Sequence, residues 1–442
     1  MVYPAQPRAP SGAHRFARVA AAAAAFVVLE LVLQVVCARP AWAVPPFSRK
    51  YKTSCQTCHT VFPRLTSIGD AFRMNGYRFP ECDGQQIKEE PVSLGNDAYK
   101  ELFPADAVWP GELPGQVPIG FVPKMRALFY EKGAQETSHM AGLDPWLDVH
   151  IAGTLGENIS FRGKFQVNGP SCQNCHTYFA MTFQVVRNSS IKVGRFQPDY
   201  FNFHQSAFFE MHDLFGPQHH VGANAWNYGK DVGIETAYTA FGRLRAVAGF
   251  VEGQDDMNQP LSSKSGYLRL AYRIGGMRMD GAPEEGYTAP VKNWREHFLQ
   301  FGLLGYAGKA RLQSNDVSGA PVTVDDKFYV GGGDFNFVYS DLTVFGGVFG
   351  ELHSRPTGTA HDIRAERWFG GIRYVTMPWL VPSVMADYFN TELRGDETYE
   401  IRPRLEILVR ANVKIHLDAA WQRPVGDRMA FRSLEAMLDA GL

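Results

Sequence analysis

The chain has 442 residues, of which 45% are hydrophobic and 13% aromatic, and its formal net charge is −1 at pH 7. This balance excludes a disordered chain, and it gives no bulk electrostatic reason for nucleic-acid binding. The sequence contains no phosphate-cradling loop, hydrolase triad or nucleotide-binding pattern, and its length suits a small N-terminal module followed by one large domain.

Residues 1–43 have the features of a secretory signal peptide. Three arginines precede the apolar run from Val19 to Val36, and small residues lead to a cleavage site after Ala43. A transmembrane anchor is less favoured because Glu30 interrupts the run. Cys37 does not fit lipoprotein processing, because the residue before it is large. No other apolar run approaches the ~18 residues of a spanning helix, so we expect an exported chain that can embed in a membrane only through strands.

Four of the five cysteines after the signal form two C-x-x-C-H motifs, which are Cys55-Cys58-His59 and Cys172-Cys175-His176. Two thiols at this spacing can each add to a vinyl group of one haem, and the following His is then the proximal iron ligand. A disulfide framework would not require His after the second Cys both times, and a redox pair or zinc half-site is mainly a cytosolic arrangement. The sequence therefore predicts two covalent haem c groups. We assign no role to Cys82.

Residues 44–82 are predicted to be a small α-helical module around the first motif. Leu65, Ile68 and Phe72 recur at helical spacing, and Gly76 is a C-terminal stop signal. About forty residues cannot hold a core without a cofactor or a host. The segment 83–117, rich in proline and glycine, is predicted to be a linker.

The module resembles the N-terminus of the fused cytochrome–porins, outer-membrane proteins of iron-oxidising bacteria in which a monohaem domain precedes a β-barrel. The resemblance covers about thirty-five residues and rests on Phe47-Ser48-Arg49-Lys50, Cys55-Gln56-Thr57-Cys58-His59, Phe62-Pro63 and Phe72-Arg73-Met74-Asn75-Gly76-Tyr77. It implies a barrel of about 16 strands and electron transfer across the outer membrane, in some members from extracellular Fe(II). The second motif departs from that family, and it leaves the donor and acceptor open.

Residues 118–442 alternate with period two, as β-strands do. The clearest runs are 159–168, 400–410, 412–422 and 433–442, each with one apolar and one charged face. A soluble β-sandwich also alternates, but it would rarely need so many long strands, so we favour a mainly β fold, a transmembrane antiparallel β-barrel with a polar lumen.

Connections give a second indication of a barrel, because short turns alternate with long segments. The predicted turns are 156–158, 187–189, 241–243, 339–341, 377–378 and 410–412, and the long segments are 131–145, 169–177, 198–230, 253–264, 354–362 and 392–397. The count is 16 strands if 296–313 is one strand, and 18 if Gly275-Gly276 and Tyr306–Gly308 are turns. Both counts are even, so both place the two termini in the periplasm.

The expected topology predicts on which side of the membrane each haem lies. The first enters from the periplasmic side, and the second motif lies in the 169–177 loop, on the outer side by strand parity. One haem would then lie near each mouth of the barrel, or both haems would lie inside the lumen, with the N-terminal module on the periplasmic side or inside the barrel. Because a bilayer core is about 30 Å thick, two haems would shorten the gap for an electron.

The sequence offers several candidates for the distal haem ligands and does not choose among them. Met74 can ligate the first haem or simply pack on its helix, and His150 and His416 fall on predicted lumen faces from which either can reach a haem. The segment 198–230 offers distal ligands for the second haem, an external metal or Fe(II) site with Glu210 and Asp213, or only a folded constriction loop. Its histidines are His204, His212, His219 and His220.

We therefore expect electron transfer between a periplasmic cytochrome or other carrier and an extracellular donor or acceptor such as Fe(II)/Fe(III). Oxidation of soluble Fe(II) at the outer haem would make the protein an iron oxidase, whereas delivery by a partner would make it a conduit. Two other classes stay open. One is a porin-type solute channel plugged or gated by the haem module, and the other is a soluble periplasmic cytochrome with a β-sandwich body.

Overall fold

The computed structural model describes residues 46–441, except 81–82, 89, 91, 94–111, 116–117, 132–142, 157, 168–177, 185, 203–220, 222–230, 254–263, 316–320, 355–360, 393–396 and 424–428. The predicted signal peptide and the second C-x-x-C-H motif lie outside these residues. Within the described ranges, no helix is both long and apolar enough to cross a membrane.

The N-terminal part of the described chain is a small α-helical module with short strands. Its elements are α1 Pro46–Tyr51, a 3-10 turn Cys55–Thr57, β1 His59–Val61, β2 Arg64–Leu65, α2 Ser67–Met74 and α3 Asp83–Gln86. A two-stranded pairing of β3 Val92–Ser93 with β4 Glu112–Leu113 follows, inside the predicted linker. The predicted helix begins after Leu65, because the Thr66 side chain caps α2 by accepting from the amide of Gly69 at 3.2 Å.

The remainder of the described chain forms sixteen strands that close into one antiparallel barrel. They are β5 Ile119–Glu131, β6 Leu143–Leu155, β7 Ile159–Val167, β8 Tyr178–Phe183, β9 Ser189–Phe196, β10 Asp231–Ala240, β11 Leu244–Val251, β12 Ser265–Gly275, β13 Glu296–Asn315, β14 Pro321–Ser340, β15 Leu342–Ser354, β16 Ile363–Tyr374, β17 Leu380–Thr391, β18 Thr398–Arg410, β19 Val413–Arg423 and β20 Ala430–Ala440. Closure comes from the pairing of β20 with β5.

The strand count confirms sixteen and shows that eighteen is wrong. Residues 306–308, one of the two turns that eighteen strands require, lie inside β13, where Tyr306 pairs with Tyr267 on one side and Val330 on the other. The glycines in this stretch do not break the strand, because both neighbours complete its hydrogen-bond ladder.

Charged side chains face the barrel interior and apolar side chains face outward. Strand β12 is representative: Tyr267, Arg269, Ala271 and Arg273 are buried, whereas Leu268, Leu270, Tyr272 and Ile274 are 42–55% exposed. This is the reverse of a water-soluble sheet protein, whose apolar face is covered. The predicted alternation is confirmed, with the charged face inside.

The predicted short turns all join strands at one end of the barrel. They connect β6 to β7, β8 to β9, β10 to β11, β14 to β15, β16 to β17 and β18 to β19. The turn after β10 shows the local reason, because Phe241 and Gly242 both adopt positive φ, of 54° and 68°. We call this end of the barrel the short-turn end. Its longer connection, residues 276–295, joins β12 to β13.

The module lies inside the short-turn end of the barrel. The Nη2 atom of Arg78 donates to the carbonyl of Gly156 at 2.8 Å, in the turn between β6 and β7. On another part of the wall, Lys414 donates to the carbonyl of Phe62 at 3.0 Å. Hydrogen bonds to well-separated strands fix both the depth and the orientation of the module.

The 276–295 connection also forms hydrogen bonds with the module. Asn293 donates its side-chain amide to the carbonyl of Gln56 at 2.5 Å, beside the first C-x-x-C-H motif. Asn75, at the end of α2, donates to the carbonyl of Asp280 at 2.9 Å. The module is therefore held between the barrel wall and this connection.

Candidate haem site

An aromatic cluster forms the core of the module. Phe47 stacks on Tyr77 with ring centroids 5.3 Å apart, and Phe72 contacts Phe47 edge-on at 5.2 Å. Tyr51 and Phe79 complete the cluster, with their centroids 4.8 Å apart. These five rings bring α1, α2 and the segment after α2 together. Three of them, Phe47, Phe72 and Tyr77, belong to the segments on which the resemblance rests.

The first cysteine motif is a short 3-10 turn with a polar cap. Ser54 caps it by accepting from the amide of Gln56 at 3.3 Å, and the amide of Cys58 donates to the carbonyl of Cys55 at 3.2 Å. Helix α2 packs directly on this turn at Gly69, where an added Cβ would lie 2.1 Å from the carbonyl oxygen of Cys58. A glycine is required here because the helix backbone touches the motif backbone.

A cavity lies between the module and strands β5–β7 of the barrel. Its volume is about 160 Å³. Both thiols of the motif and His59 line it. The rest of the module's lining is mostly apolar and aromatic, and the barrel contributes Gly120, Phe121, Val122, His150, Ala152, Arg162 and Gly163. The cavity is therefore a joint product of module and barrel.

The two thiols and the imidazole of the motif are half-buried and uncharged. Burial raises the pKa of Cys55 above its ordinary value and the pKa of the Cys58 thiol to about 12. Burial lowers the pKa of His59 to about 4, so its imidazole is neutral at neutral pH. The Nδ1 atom of His59 is buried, and the described residues provide it no hydrogen-bond partner. A neutral imidazole is the form that binds a metal.

These residues fit a covalently held haem. Two thiols three positions apart face one cavity together with an adjacent neutral His, which is the donor set of c-type attachment. The surrounding rings supply an apolar wall, and Arg73 and Arg162 supply cations at its border that can pair with haem carboxylates. Cys55, Cys58 and His59 would hold the group.

Arg162 connects the first site to the strand that follows the second motif. Its guanidinium donates to the hydroxyl of Tyr77 at 3.1 Å and lies 5.6 Å from the centroid of that ring. The same guanidinium lies 5.5 Å from the ring centroid of Tyr178, the first residue of β8. Tyr178 is two positions after His176 in the sequence.

A belt of alternating charges lines one wall of the lumen. Lys164 and Lys124 contact Asp148 at 2.8 and 3.4 Å, and Asp439 lies between Lys124 at 3.9 Å and Lys414 at 3.2 Å. Glu406 continues the belt, with Lys414 at 3.9 Å and Arg373 at 3.1 Å. Because each charge has an opposite neighbour, the lumen is polar without a large excess of either sign.

The segment 199–202 crosses the lumen beyond the module. Asp199 lies 3.6 Å from Arg73 of α2 and 3.3 Å from Arg245 of β11, and Asn202 accepts from Arg269 at 2.6 Å. These contacts place two aromatic rings in the lumen. Tyr200 lies 4.8 Å from Tyr267 and 5.9 Å from Tyr306, and Phe201 lies 5.3 Å from Phe349, all measured between ring centroids. An apolar cluster thus lies in the lumen beyond the module.

Most of the remaining predicted site residues lie outside the described part of the chain, whereas Met74 and His416 lie within it. The second motif and the candidate distal residues Cys172, Cys175, His176, His204, His212, His219 and His220 lie outside the described residues, as do Cys82, Glu210 and Asp213. Met74 does not line the cavity, because Gly69, Phe72 and Arg73 define the face of α2 that does. Its proposed ligand role stays a prediction. His416 is buried elsewhere in the lumen, 3.6 Å from Asp418.

Sequence reasoning missed two contributions to this site. Arg162 belongs to the charged face of the alternating run 159–168, and strand parity indicates only that it faces the lumen. The 276–295 connection carried no motif at all. Its Asn293 became recognisable only from its hydrogen bond to the first motif.

Comparison with known proteins gives structural neighbours alone. No family model and no curated protein matches the chain. Similar solved structures include OmpT of Vibrio cholerae (9% identity, 73% of this chain, 95% of that chain, TM-score 0.44) and an anion-selective porin from Comamonas acidovorans (11%, 73%, 97%, 0.45). OprB of Pseudomonas putida is a third (9%, 73%, 93%, 0.46). At such low identity the fold assignment rests on this chain's own strand pairing, which makes it a closed sixteen-stranded antiparallel β-barrel.

Proposed function

We propose that this chain is an outer-membrane electron carrier of the cytochrome–porin type, with haem c attached at Cys55 and Cys58 and enclosed by the barrel. The observation that carries the proposal is the shared cavity. Both thiols and His59 face it from the module, and strands β5–β7 close it from the other side. A solute channel would have no need for this donor set in an enclosed space.

The exterior of the barrel supports a membrane location. Its outward side chains are largely apolar, and aromatic side chains gather near the short-turn end, as in the girdles of outer-membrane barrels. The exposed aromatic residues there include Tyr238, Phe241, Tyr272, Tyr339, Tyr374 and Trp379. By the usual topology of such barrels the short turns face the periplasm, so the module would meet its partner on that side.

The residues of the site have separable tasks. Bound haem supplies reversible one-electron exchange at its iron, and the protein supplies position and environment. Cys55 and Cys58 anchor the group, and His59 presents a neutral nitrogen. The aromatic cluster of the module would give the group an apolar surrounding that limits access of water.

A second haem at Cys172, Cys175 and His176 would extend the route toward the outer surface. The support comes from Tyr178, which lies two residues after the second motif. The Arg162 guanidinium contacts the ring of Tyr178 and also the ring of Tyr77 in the first site. Under this proposal a periplasmic cytochrome or similar carrier exchanges electrons with the first haem, and extracellular Fe(II)/Fe(III) or another redox partner exchanges them with the second.

A solute channel gated by the module is the second candidate, and the charge belt favours it. Paired charges along the wall from β7 to β16 are the kind of polar lining that porins use. Opening such a path would require the module and the 199–202 segment to move, because both occupy the lumen.

The decisive experiment uses the full chain extracted from membranes. Pyridine haemochrome assay should find two haems per chain, one after the Cys55→Ala/Cys58→Ala change and none after both cysteine pairs are replaced. In liposomes that enclose a reduced dye, external Fe(III) citrate should oxidise the dye through the parent protein but not through Cys55→Ala/Cys58→Ala. Haem-free parent protein with a large, stable conductance in planar bilayers would instead support the channel.

A further inference from the structure

The barrel wall presents an imidazole to the same cavity that the first motif lines. His59 borders the cavity from the module, and His150 borders it from β6. Resting on the proposed function, we propose that His150 is the second axial ligand of the haem held by Cys55 and Cys58. The first haem would then be bis-histidine ligated, with one ligand from the module and one from the barrel.

The lining of the cavity supports His150 by its chemistry. A second axial ligand for haem c is normally His or Met, with Tyr a rarer alternative. The lining side chains that the structure describes include no methionine, and Met74 is not among them. Tyr51 donates its hydroxyl to Asp83 at 2.7 Å, and the Tyr77 hydroxyl accepts from Arg162 at 3.1 Å. Both phenols are therefore engaged in other hydrogen bonds.

The position of His150 on β6 gives it room and rigidity. It pairs with Gly120 of β5 on one side and with Lys164 of β7 on the other, so its backbone is fixed on both sides. Gly120 and Ala152, its neighbours on the cavity lining, have little or no side chain. A rigid strand with small neighbours is the arrangement that presents a single imidazole to a cofactor with defined geometry.

His416 is the matched comparison within the lumen. It has the same side chain, it is also predicted from strand parity to face inward, and it is buried. It does not line the cavity, and its imidazole lies 3.6 Å from Asp418. A variant of His416 therefore tests loss of a lumen imidazole without loss of a cavity ligand.

Ligation by His150 has two consequences. A bis-histidine iron is six-coordinate, so it exchanges electrons without binding an external ligand. It also has a lower reduction potential than a His–Met iron. In addition, because the two ligands come from the module and from β6, haem attachment would fasten the module inside the barrel.

The test isolates the first haem in a Cys172→Ala/Cys175→Ala background. Absorption and electron paramagnetic resonance spectra of the ferric protein report spin state independently of electron-transfer activity. We expect a low-spin parent, a high-spin His150→Ala variant that returns to low spin when imidazole is added, and low-spin His416→Ala and Met74→Leu variants. Heat-modifiable migration in gel electrophoresis verifies that each barrel is folded.

The outcomes separate this inference from the proposed function. Absence of covalent haem in the parent overturns the proposed function and this inference with it. Haem present but still low-spin in His150→Ala, or high-spin in Met74→Leu alone, overturns the inference and leaves the proposed function standing. If His150→Ala does not fold, His150→Met serves instead. It should stay low-spin, gain a sulfur-to-iron charge-transfer band and show a raised reduction potential, and an unchanged spectrum and potential would contradict the assignment.

Discussion

Arg64, in β2 of the module, donates a 2.7 Å hydrogen bond from Nη2 to the hydroxyl of Thr343 on β15, a residue 279 positions later in the chain. The Arg64 side chain is buried inside the barrel mouth. This contact fixes the hairpin that follows His59 against the far wall of the lumen, opposite the strands that close the cavity beside the first motif.

Arg64→Ala should weaken docking of the module. Loss of a buried hydrogen bond to a charged donor costs about 1.5–3 kcal/mol. We expect faster proteolysis within residues 46–80 while the barrel stays resistant. Arg423→Ala is the matched control, because the Arg423 side chain is 45% exposed and its pair with Glu397 is expected to contribute less than about 1 kcal/mol. Equal protease sensitivity of the two variants would count against the docking role.

Gly69→Ala should lower haem attachment at the first motif. The added Cβ would lie 2.1 Å from the carbonyl oxygen of Cys58, so α2 must move away from the cysteine turn. Overpacking of this kind costs roughly 1–3 kcal/mol. Haem per chain should fall in the Cys172→Ala/Cys175→Ala background. Gly305→Ala is the control, since no atom lies within 4 Å of its added Cβ, and full haem content in Gly69→Ala would refute the close-packing argument.

Asp199→Asn should lower the free energy of unfolding of the protein. It removes the carboxylate between Arg73 and Arg245, and breaking a buried ion pair from one side costs about 3–5 kcal/mol. Urea unfolding in detergent micelles measures the loss. Glu397→Gln is the control, because its pair with Arg423 is largely exposed, with side chains 39% and 45% accessible.

The pH dependence of that loss follows from the sign of the pKa shift of Asp199. Burial opposes ionisation, but Arg73, Arg245 and Arg269 outweigh it, so the pKa of Asp199 is lowered. Its stabilisation should therefore be complete above the unfolded pKa of about 3.9 and be lost as pH falls below that value. The stability difference between parent and Asp199→Asn should be constant from pH 8 to about pH 5 and shrink in stronger acid. A difference that shrank between pH 8 and pH 6 would contradict this assignment.

Tyr200→Ala/Phe201→Ala should raise ion conductance. These two rings lie in the lumen beyond the module and pack against rings of the wall, so removal of both should leave a cavity there. Planar-bilayer recordings should show a several-fold increase over the parent. Tyr329→Ala, which truncates an outward ring that is 55% exposed, should conduct like the parent. Parent-level conductance in the double variant would show that these rings are not the constriction.

The sequence by itself determined the alternating strands and the first C-x-x-C-H motif, because both are local patterns. Period-two alternation between residues 159 and 168 predicts a strand whatever surrounds it, and Cys55-Cys58-His59 carries its chemistry in five consecutive positions. The choice between 16 and 18 strands was not local. The sequence Tyr306–Gly308 is compatible with a turn and with a strand. Only its pairing with β12 and β14 shows that it belongs to a strand.

Only the tertiary structure decided which lumen histidine shares a cavity with His59. Alternation assigns a face to His150 and His416 alike, but it gives neither height along the barrel nor position around it. Those coordinates follow from strand register and from the closing pair of β20 with β5, which are set by contacts far apart in sequence. The same holds for Asn293 and Arg162, whose roles arise from where the docked module meets the wall.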